Sequence, residues 1–160
     1  MARGTIYFIT KDKDQVIDFG EQDYYDRLDI LNVGYVQDED EESSATSIEM
    51  FRDTINKLGA IIWLGERDFG FSFRFNAVSE MQRKYFKPKF EILKEKVANL
   101  QLFDVIRSAP DLNNIINDGY GDVITLGEEA AGSTITVDDF IRRVEPGVTY
   151  YVYKKTILMH

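Results

Sequence analysis

The chain has 160 residues and a formal net charge of −9, with 44% hydrophobic and 29% charged residues. This length and mixture are typical of one globular domain and exclude wholesale disorder. Cysteine is absent and the only histidine is the terminal His160, which excludes disulfides, thiolate metal sites, cysteine nucleophiles and interior imidazole chemistry.

Two strands and a helix are predicted at the start of the chain. Thr5–Thr10 and Gln15–Phe19 are rich in β-branched and aromatic residues, and the polar stretch between them predicts a hairpin turn. Glu21–Leu31 is predicted to be helical because its apolar residues recur on one face.

A run of five acids follows at Asp38–Glu42. Such a run cannot bury itself, so we expect an exposed acidic loop near residues 37–45. Thr46 and Glu49 match a capping box at the start of the next helix, and Gly59 is placed to end that helix.

The middle of the chain predicts a hairpin with an aromatic face. Ile61–Leu64 is a short apolar strand, and the strand after it alternates aromatic and small or polar residues, which puts four phenylalanines on one buried face: Phe69, Phe71, Phe73 and Phe75. Asn76 is then predicted to cap a helix that Pro88 interrupts.

A second helical stretch is predicted after Pro88, with an apolar core stripe at spacings of three and four: Phe90, Leu93, Val97 and Leu100. Further on, Asp122–Leu126 predicts a strand, and Thr136 with Asp139 caps a short helix. Gly147–Leu158 predicts one long strand. The order of elements favours a single α+β domain over residues 1–160, with a mainly antiparallel sheet and helices packed on one face.

The charge is unevenly distributed. Residues 1–60 hold 14 acids and 6 bases, a net −8, whereas residues 61–110 carry +3 and residues 111–160 carry −4. An acidic surface repels nucleic acid and anionic membranes and attracts basic partners, so we expect no duplex DNA binding and no membrane association. The N-terminus shows no signal-peptide pattern, which favours a cytoplasmic protein. Whether His160 is native or a tag remnant is not decided by the sequence.

The acidic N-terminal third supplies the first candidate site. On the helix predicted over residues 21–31, three aspartates recur every third residue, which is a rise of about 4.5 Å against about 3.4 Å between phosphates on one DNA strand. With the acidic run they form the candidate partner-binding set: Asp23, Asp26, Asp29, Asp38, Glu39, Asp40, Glu41 and Glu42. The alternative interpretation is that these acids keep the protein soluble.

A basic segment over residues 83–96 supplies the alternative site. Its cations stand among Tyr85, Phe86 and Phe90, a combination that phosphate contacts and base stacking require. The candidate phosphate-binding residues are Arg83, Lys84, Lys87 and Lys89. The competing interpretation is a helix with a core stripe and a lysine-rich solvent face.

Catalytic and metal-binding patterns are weak. Three pairs of acids are close enough in sequence to act together: Asp12 with Asp14, Asp118 with Asp122, and Asp138 with Asp139. None continues into an EF-hand loop, and the Asp118–Asp122 stretch has the composition of a tight turn. The sequence therefore predicts no catalytic residue, no metal site and no cofactor. An enzyme with an unlocated carboxylate site is the third hypothesis.

In size and charge alone the chain is similar to small phage or mobile-element inhibitors of nucleic-acid enzymes. The sequence therefore favours a non-enzymatic inhibitor or nucleic-acid mimic whose acidic surface docks on a basic, nucleic-acid-handling protein. The second hypothesis is a nucleic-acid or nucleotide-phosphate binding protein that uses residues 83–96.

Overall fold

The structure is a computed structural model, and it describes residues 4–19, 36–38, 40–100, 122–126 and 134–159. These residues form eight strands and four helices. In chain order they are β1 (Gly4–Thr10), α1 (Lys13–Phe19), β2 (Val36–Asp38), α2 (Glu41–Lys57), β3 (Ile61–Leu64), β4 (Asp68–Ser72), α3 (Val78–Ala98), β5 (Val123–Leu126), β6 (Thr134–Thr136), α4 (Val137–Arg143), β7 (Thr149–Tyr153) and β8 (Ile157–Met159).

All eight strands join in one sheet. Its main order is β2-β8-β1-β7-β4-β3, while β5 pairs with β1 and β6 pairs with β5. Among the described strands only the β1–β5 pair is parallel, and the other six pairs are antiparallel. Strand β1 pairs with β5 on one edge and with β7 and β8 on the other. Every residue of β1 is buried, which explains why it reads as a near-continuous apolar run.

The main hydrophobic cluster lies on one face of this sheet, where α2, α3 and α4 pack. Phe69, Phe71 and Phe73 are buried there as predicted, together with Ile48, Phe51 and Ile55 of α2, Val78 and Met81 of α3, and Phe140 and Ile141 of α4. The predicted α+β single-domain fold, with a mainly antiparallel sheet, is confirmed. The strands predicted at Thr5–Thr10, Ile61–Leu64 and Asp122–Leu126 are present as β1, β3 and β5.

The strand predicted at Gln15–Phe19 is wrong, because these residues belong to α1. The side chain of Asp12 accepts a hydrogen bond of 2.9 Å from the backbone N–H of Asp14, and so satisfies a donor in the first turn. The N–H of Asp12 in turn donates to Thr10 Oγ1 at 3.0 Å. These side-chain contacts start a helix where β propensity favours a strand, since the turn after β1 is closed by its own polar residues. The helix predicted over Glu21–Leu31 lies outside the described residues.

The acidic loop predicted near residues 37–45 is also wrong. Val36–Asp38 is a strand, and α2 begins at Glu41 with Asp40 as its N-cap. The capping box predicted at Thr46 is therefore inside the helix, where Thr46 Oγ1 donates to the carbonyl of Glu42 at 3.0 Å. The end of α2 was predicted correctly: Leu58 is the C-cap and Gly59 follows with a φ of 92°.

Helix α3 differs from its prediction at three points. Its N-cap is Ala77, so Asn76 is not the cap, and the helix continues through Pro88 to Ala98. The prediction for the strand before α3 is wrong at Phe75, which lies beyond the end of β4 and is 82% exposed instead of buried. The stripe predicted after Pro88 is not part of the core, since Phe90 is 60% exposed and Val97 is 51% exposed. The second half of α3 is therefore less buried than its first half, although apolar residues continue at helical spacing.

The long strand predicted over Gly147–Leu158 is broken into β7 and β8. Both halves pair with β1, and Thr156 lies in the break. The backbone N–H of Thr156 donates to Ser44 Oγ of α2 at 3.0 Å. A buried hydroxyl on a neighbouring helix thus ends the ladder where β propensity continues.

The aromatic face of β4 gives the first testable prediction. Phe71 is fully buried, so Phe71→Ala should lower the free energy of unfolding by about 3–5 kcal/mol. Phe75→Ala is the matched control and should change it by less than about 0.5 kcal/mol, because Phe75 is exposed. Urea titrations of both variants measure the two values. Equal effects would contradict this register of β4.

Candidate functional site

Helix α2 presents five exposed acidic side chains, which we call the acidic face: Asp40, Glu41, Glu42, Glu49 and Asp53. The opposite side of the helix is buried at spacings of four, three and four by Ser44, Ile48, Phe51 and Ile55. At about 100° per residue, this pattern places Glu42, Glu49 and Asp53 on the side opposite the buried residues, while Asp40 and Glu41 lie at the N-terminal end of the helix. The acidic face therefore combines the solvent side of α2 with its N-terminal end.

Three of these acids stand almost in line. At about 100° per residue, Glu42, Glu49 and Asp53 fall within an arc of about 40° around α2. Their rises along the helix axis are about 10.5 Å from Glu42 to Glu49 and about 6 Å from Glu49 to Asp53. The row therefore extends about 16 Å over the surface.

The charges of the acidic face are only partly offset. Glu49 Oε1 accepts from Arg52 at 3.1 Å, an exposed pair that contributes little to stability. Within the described part of the chain, Glu41, Glu42 and Asp53 form no ion pair. Glu41 and Glu42 lie in the first turn of α2, where the positive end of the helix dipole favours anions.

Asp40 has a structural task in addition to its charge. Its Oδ1 accepts from the backbone N–H of Ser43 at 2.8 Å and its Oδ2 accepts from the Ser43 hydroxyl at 3.0 Å. These hydrogen bonds hold the pKa of the Asp40 carboxyl below its usual value, and the bond from the Ser43 backbone has the larger effect. Asp40 therefore fixes the start of the helix that carries the other acids.

The acidic end of α2 is tied to the sheet by a buried polar contact. Ser44 Oγ and Thr156 Oγ1 lie 2.9 Å apart, and both side chains are buried. This contact holds the first turn of α2 against the break between β7 and β8. The residues next to Ser44 in sequence, Ser43 and Ala45, are exposed.

The predicted partner-binding residues are only partly brought together. Asp40, Glu41 and Glu42 meet at the start of α2. The structure adds Glu49 and Asp53, which the sequence reasoning missed because it placed the helix start at Thr46. The spacing from Glu42, seven and then four residues, was the signal that could have found them. Asp38 lies in β2, and the remaining residues of the set are outside the described part of the chain: Asp23, Asp26, Asp29 and Glu39.

The basic segment lies on α3, and two of its four candidate cations are held by carboxylates. Arg83 donates to both carboxylate oxygens of Glu80 at 3.0 Å, which lowers the pKa of Glu80 and raises that of Arg83. Lys89 Nζ lies 2.6 Å from Asp138 Oδ1 of α4. Lys84 and Lys87 are exposed.

Lys89 belongs to a contact between α3 and α4. Besides its ion pair with Asp138, its ammonium lies 4.9 Å from the centroid of the Tyr85 ring, and the Tyr85 hydroxyl donates to Asp138 Oδ1 at 2.7 Å. Gln82 Nε2 donates to the carbonyls of Ile141 and Arg142 at the end of α4. This part of α3 is therefore a packing surface.

The acidic pairs considered for metal binding have separate partners. Asp138 contacts Lys89 and Tyr85, whereas Asp139 contacts Arg142. Asp122 Oδ1 accepts from the N–H of Thr5, and its Oδ2 lies 3.1 Å from the Tyr7 hydroxyl. Asp118 is outside the described residues. Among the residues that the structure describes, no group of three or more acidic or histidine side chains could hold a metal ion.

Comparisons with known proteins add no functional information. No protein-family model matches the chain, and searches of curated proteins and of solved structures found no significant match. Of the four described helices, none has the length and apolar character needed to cross a bilayer.

The cap at Asp40 predicts a pH-dependent stability. The folded-state pKa is lowered, so the stabilisation is present above the ordinary aspartate pKa and is lost as the pH falls through the folded-state value. The free energy of unfolding of Asp40→Ala should therefore lie below that of the parent by more at pH 7 than at about pH 2, where the protonated carboxyl caps only as a neutral acceptor. Asp40→Asn is the control, because an amide oxygen still caps the helix but does not titrate. Urea titrations across this range measure the difference. A gap of the same size at both pH values would argue against the carboxylate.

The contact around Lys89 predicts that neighbouring lysines of α3 contribute differently to the stability of the fold. Lys89→Ala removes an ion pair and a ring contact from a partly buried site, so it should lower the free energy of unfolding by about 1–3 kcal/mol. Lys87→Ala, on the exposed side of the same helix, should change it by less than about 0.5 kcal/mol. Thermal and urea unfolding of the two variants measure these changes. Equal effects would show that the contacts of Lys89 do not stabilise the packing of α3 on α4.

Proposed function

We propose that this protein is a non-enzymatic binding protein that docks on a basic protein partner through the acidic face of α2. The observation that carries the proposal is the row of Glu42, Glu49 and Asp53 on the exposed side of a helix whose other side is fixed in the core. A row of like charges repels itself, and an arginine- or lysine-rich surface that neutralises it is favoured.

The geometry supports a nucleic-acid-like surface in particular. Phosphates on one strand of DNA rise about 3.4 Å per step, so three steps cover about 10 Å and two cover about 7 Å. The corresponding rises on α2 are about 10.5 Å and about 6 Å. A protein groove that binds every second or third phosphate would therefore meet a carboxylate at a similar spacing. The partner class that follows is a nucleic-acid-handling protein, which the protein would inhibit by occupying that groove.

The rigidity of α2 supports the same proposal. Phe51 and Ile55 anchor the helix in the core, and Ser44 binds Thr156 at its acidic end. Because the backbone that carries the acids is fixed before binding, only side chains lose freedom when a partner docks. The Glu49–Arg52 pair is exposed, so an incoming arginine can replace Arg52 at small cost.

A triple neutralisation tests the proposal. The variant Glu42→Gln, Glu49→Gln, Asp53→Asn should lose most of its capture of basic proteins from the native host's lysate, measured by quantitative mass spectrometry. The matched control is Glu66→Gln, Glu91→Gln, Glu95→Gln, which removes the same charge from exposed acids outside α2 and should capture as the parent does. Both variants should unfold within about 0.5 kcal/mol of the parent per substitution.

Kinetics with the captured partner complete the test. Association should be fast and should slow steeply as salt rises from about 50 to about 300 mM, because exposed charges steer encounter over roughly a Debye length. The α2 variant should mainly lose association rate. Capture by the α2 variant equal to that by the control, or capture that persists at high salt, would show that the acidic face is not the docking surface.

A further inference from the structure

From Phe86 onward, α3 and the residue after its C-cap carry a row of apolar side chains of which only the first packs against the core cluster. We call them the seam: Phe86, Phe90, Leu93, Val97 and Leu100, at spacings of four, three, four and three. Phe86 packs against the core, but Phe90 and Val97 are more than half exposed. An apolar repeat of three and four is the pattern by which one helix packs along another. Here Phe90 and Val97 face solvent, while Leu93 and Leu100 are half-buried.

The exposure of the seam follows from where it lies on the helix. At about 100° per residue, the four seam residues within α3 fall within an arc of about 60°. Phe90 and Val97 lie roughly 100° or more around α3 from Val78 and Met81, which are the residues that pack into the core. Phe90 and Val97 are therefore directed away from the sheet.

Lysines border the seam on both sides. Lys87 and Lys94 occupy one flank, and Lys89 and Lys96 occupy the other, which are the positions that face the flanks of a partner helix. Lys87, Lys94 and Lys96 are exposed, while Lys89 is paired with Asp138. Glu91 and Glu95 lie on the far side of the helix, roughly 140–180° from the seam. The border charge is therefore of one sign.

We propose that the seam binds an amphipathic helix of a partner protein that carries apolar residues at its own three–four repeat and glutamate or aspartate on both flanks. Charge complementarity selects this occupant. A second copy of the same seam would place lysine opposite lysine in either orientation, and like charges across a helix pair are unfavourable. The proposal is independent of the acidic face, because it involves another helix and a partner of opposite charge.

A nucleic acid is a poorer fit to the same surface. Phosphate contacts would use the lysines but would leave Phe90 and Val97 in water, and the chain as a whole carries −9. An acidic amphipathic helix fits both the apolar residues and the lysines, because its apolar side covers the seam and its carboxylates contact the border lysines.

The experiment uses two synthetic peptides and the full-length protein. The acidic peptide has about three heptads with leucine at the repeat positions and glutamate on both flanks, and the basic peptide has lysine in place of every glutamate. Fluorescence anisotropy should show saturable binding of the acidic peptide and binding of the basic peptide weaker by about tenfold or more. Phe90→Ser with Val97→Ser should weaken binding of the acidic peptide by about tenfold or more, with the charges unchanged.

Charge reversal supplies the decisive variant. Lys94→Glu with Lys96→Glu should reverse the preference, so that the basic peptide binds better than the acidic one. The matched control is Lys57→Glu with Lys84→Glu, which changes the net charge equally away from the seam and should keep the original preference. Urea titrations of each variant establish that the fold is intact.

Several results would overturn the proposal. They are equal binding of the two peptides, no binding of either, or the same preference in both charge-reversal variants. Sedimentation of the parent as a dimer that Val97→Ser dissociates would assign the seam to a second copy instead. Binding to vesicles of phosphatidylserine, lost in Phe90→Ser with Val97→Ser while the acidic peptide does not bind, would assign it to a lipid surface.

Discussion

The packing of Phe71 is the contact on which the arrangement of the helices depends. Its ring stacks on Tyr150 of β7 at a centroid distance of 5.4 Å, and it lies 6.2 Å from Phe140 of α4 and 6.4 Å from Phe51 of α2. One side chain on β4 thus contacts a neighbouring strand and two helices that are distant in sequence. Because aromatic rings in such contacts have preferred separations and tilts, the cluster sets how each helix lies on the sheet.

Both candidate surfaces follow from this packing. Phe51 packs against Phe71 and so fixes which side of α2 is buried. The acids on the other side of the helix, Glu42, Glu49 and Asp53, are therefore exposed to solvent. Among the described residues, α3 contacts the core cluster and α4 through its first part, where Met81 enters the core and Gln82 and Lys89 contact α4. Its last turns keep the apolar period and expose Phe90 and Val97. The core determines which helix faces remain for a partner.

Sequence patterns predicted the parts of the fold in which one local signal dominates. The alternation at Phe69–Phe73 is one such case, and the Thr136 cap, whose Oγ1 accepts from the N–H of Asp139 at 3.1 Å, is another. Errors arose where a distant contact decided. Thr156 leaves the sheet because its N–H binds Ser44, 112 residues away, and no local pattern contains that pairing.

The candidate sites show the same division. The acids after Asp38 were found from composition, but their helical order depends on where α2 starts, and Asp40 rather than Thr46 supplies the cap. The spacing of apolar residues predicted that Phe90 and Val97 belong to the core, but this spacing does not show whether another element covers that side of the helix. Burial depends on the packing of the whole chain, so the apolar stripe could be predicted from the sequence and its exposure could not.

The two surfaces should also differ in how a partner reaches them. A basic protein that approaches the acidic face is attracted both by α2 and by the net charge of −9, so long-range steering and local contacts act together. An acidic helix that approaches the seam is repelled by the same net charge until it comes within roughly 8 Å of the border lysines, about a Debye length at physiological salt. Added salt weakens the distant repulsion, which favours association, and it also weakens the local attraction, which disfavours association. The net effect of salt on the association rate should therefore be small. Contacts at the seam should therefore gain their affinity from slow dissociation, because the apolar residues that salt does not screen hold the helix once it has docked.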